Sequence, residues 1–151
     1  MSHQPDFHVL DRAECEALLM SQHVGRLAFS FRDRVDIEPM HYVYSHGHIY
    51  GRTQYGTKMD VLAHHAWIAF EVDEIQSLFE WRSVVLHGRI EFPDPDGAPL
   101  QVERFAQAVE IFRTLVPTAF DVHDPTPARE LAFIIAVQEM TGRAATIDRT
   151  A

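Results

Sequence analysis

Between Ile49 and Asp60 the chain reads Ile-Tyr-Gly-Arg-Thr-Gln-Tyr-Gly-Thr-Lys-Met-Asp. Four of these side chains, Arg52, Thr53, Thr57 and Lys58, are of the types that bind an oxyanion. The pattern places Arg52 and Thr53 at the end of a strand, Gly56 in a turn, and Thr57 and Lys58 at the start of a helix. Free backbone N–H groups and the positive dipole end make a helix start a ready phosphate site. A guanidinium adds a forked contact, an ammonium a point charge, and the threonines hydroxyl donors. Lys58 in a first helical turn opposes the helix dipole, which an anion there would offset. A plainer alternative stands beside this one: Thr57 caps its helix with Asp60, while Arg52 and Lys58 are solvated.

Other chemistries find less in the sequence. The single cysteine, Cys15, cannot form an internal disulfide and shares a helical stripe with Leu18 and Leu19, which reads as packing. Of the ten histidines, His46 and His48 flank a glycine in a turn and His64-His65 ends a short helix. Neither pair has the i, i+4 spacing or flanking carboxylate of zinc enzymes, so structural or surface roles are expected and no metal. Glu71 and Asp73 share a strand face and read as solvated; Trp67 opens a strand and reads as core. There is no nucleophile elbow, Walker-type loop or dinucleotide-binding glycine fingerprint.

Stepping outward, 151 residues with 46% hydrophobic content suit one domain with a sizeable core. No apolar run reaches the roughly 20 residues of a bilayer span. The start, Met1-Ser2-His3-Gln4-Pro5, lacks a signal peptide's basic and apolar regions, so a cytoplasmic protein is expected. A net charge of −9 argues against nucleic acid or anionic membrane as a general partner. A local nest of donors can still take a phosphate against that distant field.

The elements that must position the cluster follow from periodicity. Asp11 with Glu14 forms a capping box, Leu10 can staple to Cys15, and a helix runs to about Gln22. Leu27 to Phe31 alternate as a strand, and Arg32-Asp33-Arg34 turns into a second strand, Val35 to Tyr44. There Val35 and Ile37 point one way and Met40, Tyr42 and Tyr44 the other, with Pro39 at the change marking a bulge or an edge position. Ser45-His46-Gly47 is a hairpin turn into a third strand, His48 to Gln54, before the short helix from Thr57 to about His65. Ile68 to Val72 and Val84 to Phe92 make two further strands. Val102 to Leu115 repeat at helical spacing until Pro117, and Phe133 to about Met140 is a last strand. About six strands with few helices predict a mainly β fold with flanking helices, a small closed or nearly closed barrel.

Several motifs occur in an order that resembles one family. These are Val24-Gly25-Arg26-Leu27-Ala28, Glu38-Pro39-Met40-His41-Tyr42, the Arg52–Lys58 turn, Trp81-Arg82-Ser83-Val84, Gly88-Arg89-Ile90-Glu91 and Thr141-Gly142-Arg143. Together they resemble the pyridoxamine 5′-phosphate oxidase-like, FMN-binding split β-barrels, in particular the branch with nitroimidazole-resistance-type proteins. The resemblance implies a single FMN-binding split-barrel domain over 1–151. It implies a phosphate site at Arg52, Thr53, Thr57 and Lys58, and a flavin ring lined by the backbone of Pro39, Met40, His41 and Tyr42. It also implies that Trp81, Arg82 and Ser83 reach the flavin of a partner subunit, making a homodimer with the cofactor at its interface. Two departures limit what transfers. The chain ends soon after Gly142-Arg143, without the arginine-rich segment of true pyridoxamine phosphate oxidases. Arg52 stands where nitroimidazole-resistance proteins often have a histidine.

The expected activity is FMN-dependent oxidoreduction of a small-molecule substrate. The alternative is a non-catalytic flavin or heme carrier or redox sensor. Heme and deazaflavin are the other cofactors the barrel could hold, and His41 or His87 are the candidate iron ligands. On the phosphate reading, Arg52→Ala and Lys58→Ala each weaken FMN binding about 10- to 150-fold, from about 1.5–3 kcal/mol per charge-assisted contact. Riboflavin binding and folding are expected to stay nearly unchanged in both variants. A fluorescence titration of each variant with FMN and riboflavin checks this, and wild-type FMN affinity in both would place the phosphate elsewhere.

Overall fold

The computed structural model describes residues 4–64 and 66–147, with the side chains of residues 57–59 and 64 outside that description. Its elements are β1 (Pro5–Leu10), α1 (Arg12–Ser21), β2 (Val24–Phe31), β3 (Arg34–Ser45), β4 (His48–Thr53) and α2 (Thr57–His64). They continue with β5 (Trp67–Ser77), β6 (Glu80–Glu91), α3 (Pro99–Phe112) and β7 (Leu131–Ile147). Helix α1 starts as its sequence dictates. The Asp11 carboxylate accepts from the Glu14 N–H at 2.8 Å, and Glu14 Oε1 accepts from the Asp11 N–H at 3.2 Å. No described helix is long and apolar enough to cross a membrane.

All strand pairings are antiparallel, and the order β1-β7-β4-β3-β2-β5-β6 is closed by a further β6–β7 pairing. Six strands, β2 to β7, therefore form a barrel-like ring, the split-barrel architecture expected from the sequence. Strand β1 is a seventh that the sequence pattern did not show. It pairs with the second half of β7, from Leu10↔Gly142 to Pro5↔Ile147. That pairing also explains why β7 runs to Ile147 rather than ending near Met140: its second half lies between β1 and β6.

The ring's interior is filled by Leu27, Tyr42, Ile49, Phe70, Leu86, Phe133 and their neighbours, with Leu18 and Leu19 of α1 belonging to the same buried cluster. The buried Tyr42 hydroxyl donates to the Leu19 carbonyl at 2.7 Å, so the polar atom of this side chain is satisfied. A second, smaller core lies where α3 packs over β4 and β7 through Ala108, Tyr50, Ala132 and Ile134. Helix α3 opens with Pro99 at its first turn and ends at Phe112; Leu115, expected inside it, lies in the turns beyond.

Strand β3 settles the phase question at Pro39. Its pairing with β2 is unbroken from Val24↔His41 to Phe31↔Arg34, so there is no bulge. Met40, Tyr42 and Tyr44 are buried, while Val35 and Ile37 are 74% and 65% exposed on the outer face. The edge reading holds, because β4 pairs with β3 only over Tyr42–Ser45 and leaves Pro39 without a neighbour on that side. Trp67 is a correction. It opens β5 but points outward, 49% exposed, with its ring stacked on His87 at 6.5 Å. Its register partner is Arg89 of β6, so strand parity, not hydrophobicity, decides its side.

Gly51 fixes how closely β4 and β7 can approach. It lies opposite Phe133, and a Cβ built there would come 2.3 Å from the fully buried Phe133 ring. Gly51→Ala is therefore expected to destabilise the fold by about 1–3 kcal/mol through overpacking. Urea unfolding measures this, and Phe133→Leu in the same chain should recover part of the loss. A Gly51→Ala protein as stable as wild type would mean the ring is free to move.

Candidate functional site

The site lies where the barrel splits. The β3–β4 ladder stops at Tyr42↔Gly51, whereas β4 stays paired with β7 as far as Thr53↔Leu131. Beyond Gly51, β4 leaves β3, and a cavity of about 330 Å³ opens between them. Its walls are Glu38, Pro39 and Met40 on β3, Arg52 and Thr53 on β4, the turn Gln54-Tyr55-Gly56 that leads into α2, and Arg129 just before β7. The structure thus brings Pro39 and Met40 together with Arg52 and Thr53, two pairs that the sequence reading had linked to each other only by resemblance. Helix α2 begins at Thr57 as expected, directly after this turn. The side chains of Thr57 and Lys58 lie outside the description. His41 and Tyr42 continue the same strand: His41 is exposed on the outer face and Tyr42 is in the core.

Arg52 is at the cavity, but its guanidinium is turned away into the protein. Nη1 donates to Asp124 Oδ2 at 2.5 Å, and Nη2 donates to Asp124 Oδ1 at 2.7 Å and to Thr126 Oγ1 at 2.6 Å. The two side chains are 3% and 4% exposed. The cation also lies over the rings of Phe112 and Phe120, at 5.4 and 5.0 Å from their centroids. Asp124 accepts further from the N–H groups of Phe120 at 2.8 Å and Thr126 at 2.9 Å. The Arg52 hydrogen bonds, helped by those two N–H groups and opposed by burial, hold its carboxyl well below the usual carboxylate range. Phe120 has φ +67°, a conformation rare for an aromatic residue, and its N–H bond to Asp124 helps fix it. The sequence reading missed Asp124, Thr126 and Arg129. The one available signal was Asp124-Pro125-Thr126, whose carboxylate can bond the N–H two residues on.

Trp81, Arg82 and Ser83 lie elsewhere, at the start of β6. Trp81 and Arg82 line a separate cavity of about 420 Å³ with Glu74 and Ile147. Phe7 of β1 packs edge-on against Phe79 at 6.3 Å and lies 6.4 Å from Trp81. Although larger, this cavity has no helix start beside it, so the split is the better oxyanion site. Ser83 belongs to a polar cluster on the outer face of β2, β5 and β6. Arg26 pairs with Glu71 at 3.1 Å and Asp73 at 3.3 Å, and Ser83 Oγ donates to Glu71 at 3.1 Å. Glu71 and Asp73 are thus bonded rather than simply solvated. Burial foremost, and a hydrogen bond with Asp73, push the Glu71 carboxyl up. Among the described residues no three His, Cys, Asp or Glu side chains gather to hold a metal ion.

A family model described as pyridoxamine 5′-phosphate oxidase matches residues 11–144. Among solved structures, an FAD-binding protein of Mesorhizobium loti has a TM-score of 0.75 at 26% identity, covering 93% of this chain and 98% of that one. A protein of Bacteroides thetaiotaomicron, described as a candidate 5-nitroimidazole antibiotic resistance protein, has a TM-score of 0.70. Its 16% identity, over 95% of this chain and 90% of that one, makes it a likeness of fold. Among curated proteins, an uncharacterised protein of Rhizobium meliloti (strain 1021) is 30% identical over 90 residues. That match spans 59% of this chain and 60% of the relative, less than two thirds of its length.

The Arg52–Asp124 pair makes a stability prediction with a definite pH dependence. Asp124→Ala strands a buried guanidinium and is expected to cost about 3–5 kcal/mol. Because the native carboxyl titrates below its ordinary 3.8, its contribution is fully present above that value and is lost as pH falls toward the lower native one. Urea unfolding of wild type and variant should therefore differ by a constant amount from about pH 5 to 7 and converge below about pH 4. A difference under about 1 kcal/mol at pH 7, or one that persists undiminished in acid, would contradict the assignment.

Proposed function

The chain belongs to the pyridoxamine 5′-phosphate oxidase family, and from that premise we propose that it is an FMN-binding oxidoreductase acting on a small-molecule substrate. The observation that carries the proposal is the cavity at the β3–β4 split, where a strand end, a glycine turn and a helix start meet. The residues present fit a phosphorylated flavin. A Cβ built on Gly56 meets nothing within 4 Å, so the turn leaves open space beside the first N–H groups of α2. Thr53 on the cavity wall supplies a hydroxyl donor. The 26%-identical Mesorhizobium loti structure is that of an FAD-binding protein, which supports a flavin and leaves the choice between FMN and FAD to experiment.

When bound, a flavin supplies hydride or electron transfer; the protein's part is to bind, orient and shield it. Residues 39–42 of β3 lead outward from the phosphate pocket and would back the ring, with Met40 and Tyr42 anchored in the core behind it. Shielding of the other side falls to a second copy of the chain. Val24, Val35, Ile37, Trp67 and Val85 are exposed large apolar residues on β2, β3, β5 and β6, a face that association would cover. Trp81, Arg82 and Ser83 of that copy are the residues the family resemblance assigns to the flavin. No acid or base is assigned, because hydride transfer from a flavin can proceed without one.

Purified protein is expected to be yellow, or to quench FMN fluorescence with micromolar or tighter affinity, and to bind FMN more tightly than FAD. Light scattering should give twice the 17.3 kDa chain mass. Protein that quenches neither flavin would end the proposal; tight flavin binding by a monomer would remove the second copy from it.

A further inference from the structure

A second arginine, Arg129, lines the split. It is exposed, and its guanidinium has no hydrogen-bond or ion-pair partner among the described residues. Arg52, the arginine that the strand-turn-helix pattern singles out, has both terminal nitrogens occupied by Asp124 and Thr126. The two arginines are linked. Asp124 grips the N–H of Thr126, and the Thr126 carbonyl accepts from the Arg129 N–H at 3.0 Å. Two residues later the chain enters β7 as Leu131 pairs with Thr53. From these contacts we propose that Arg129 is the cation that binds the ligand's phosphate. The buried Arg52–Asp124 pair is then its positioning device, tying the 119–126 loop to β4 so that Arg129 meets the pocket. For the identity of the ligand this rests on the flavin reading; for its anionic end it rests on the cavity alone.

The division of labour follows from charge. A guanidinium held by a carboxylate and two phenyl rings is neutralised and pre-ordered, and contributes little field to a phosphate beyond it. An unpaired guanidinium at the rim keeps both donors for a forked contact.

The test uses full-length protein in phosphate-free buffer with three probes: FMN, riboflavin and inorganic phosphate. Arg129→Ala should weaken FMN binding about 10- to 150-fold, leave riboflavin affinity within about twofold, and abolish the rise in Tm that inorganic phosphate gives wild type. Arg129→Lys should recover part of the FMN affinity. Asp124→Asn, assayed below its Tm, should lower the ratio of FMN to riboflavin affinity, which a loss of stability alone would not move. If wild type binds no flavin but phosphate still raises its Tm through Arg129, the inference stands and the flavin reading falls. If Arg129→Ala matches wild type toward FMN and phosphate, or if neither protects wild type, the inference is overturned.

Discussion

A single buried ion pair organises the working end of this molecule. Arg52 lies near the end of β4, and Asp124 lies in the loop after α3, 72 residues further along the chain. Two charges taken out of water lose several kcal/mol of hydration each, so such a pair persists only when its geometry is good and its remaining donors and acceptors are filled. Here both conditions hold. The carboxylate receives two guanidinium nitrogens and two backbone N–H groups, and the guanidinium adds Thr126 and two aromatic faces. The consequence is mechanical: the pair ties β4 and the end of α3 to the 119–126 loop. The strand that leaves β3 at Gly51 is therefore held open rather than collapsing onto it.

The rest of the barrel was legible to different degrees, for physical reasons. Helix α1 was clear because its capping box is local, needing only Asp11 and Glu14 three residues apart. Strands β2, β3, β5 and β6 were clear because one face is buried and the other is not; β4, buried on both faces, was marked by the His46-Gly47 hairpin before it, whose turn residues are both at positive φ. Strand β1 was not, because its apolar residues Phe7 and Val9 are exposed and only Leu10 is buried, so no alternation marks it. Trp67 failed the same way in reverse: a large apolar residue was placed inside although strand parity puts it outside.

The candidate site was half legible. The turn from Arg52 to Lys58 announces an anion site through residue types and spacing, and the chain does fold there into strand, turn and helix start. What spacing could not reveal was that Arg52 is engaged elsewhere. Its partner lies in a proline-flanked loop without periodicity, and pairing across 72 residues leaves no sequence trace. Arg129 was hidden for the same reason: its place depends on where β7 joins β4. The expectation that losing Arg52 leaves folding unchanged is accordingly revised, since this residue anchors the loop as well as bordering the cavity.

The most direct test of this account is the structure of the protein crystallised with FMN. The account predicts the phosphate in the split between β3 and β4, within hydrogen-bond distance of Thr53 and the Arg129 guanidinium, with Arg52 still on Asp124. A phosphate bound at the Trp81 end of β6, or an Arg52 that has left Asp124 to reach the ligand, would contradict it.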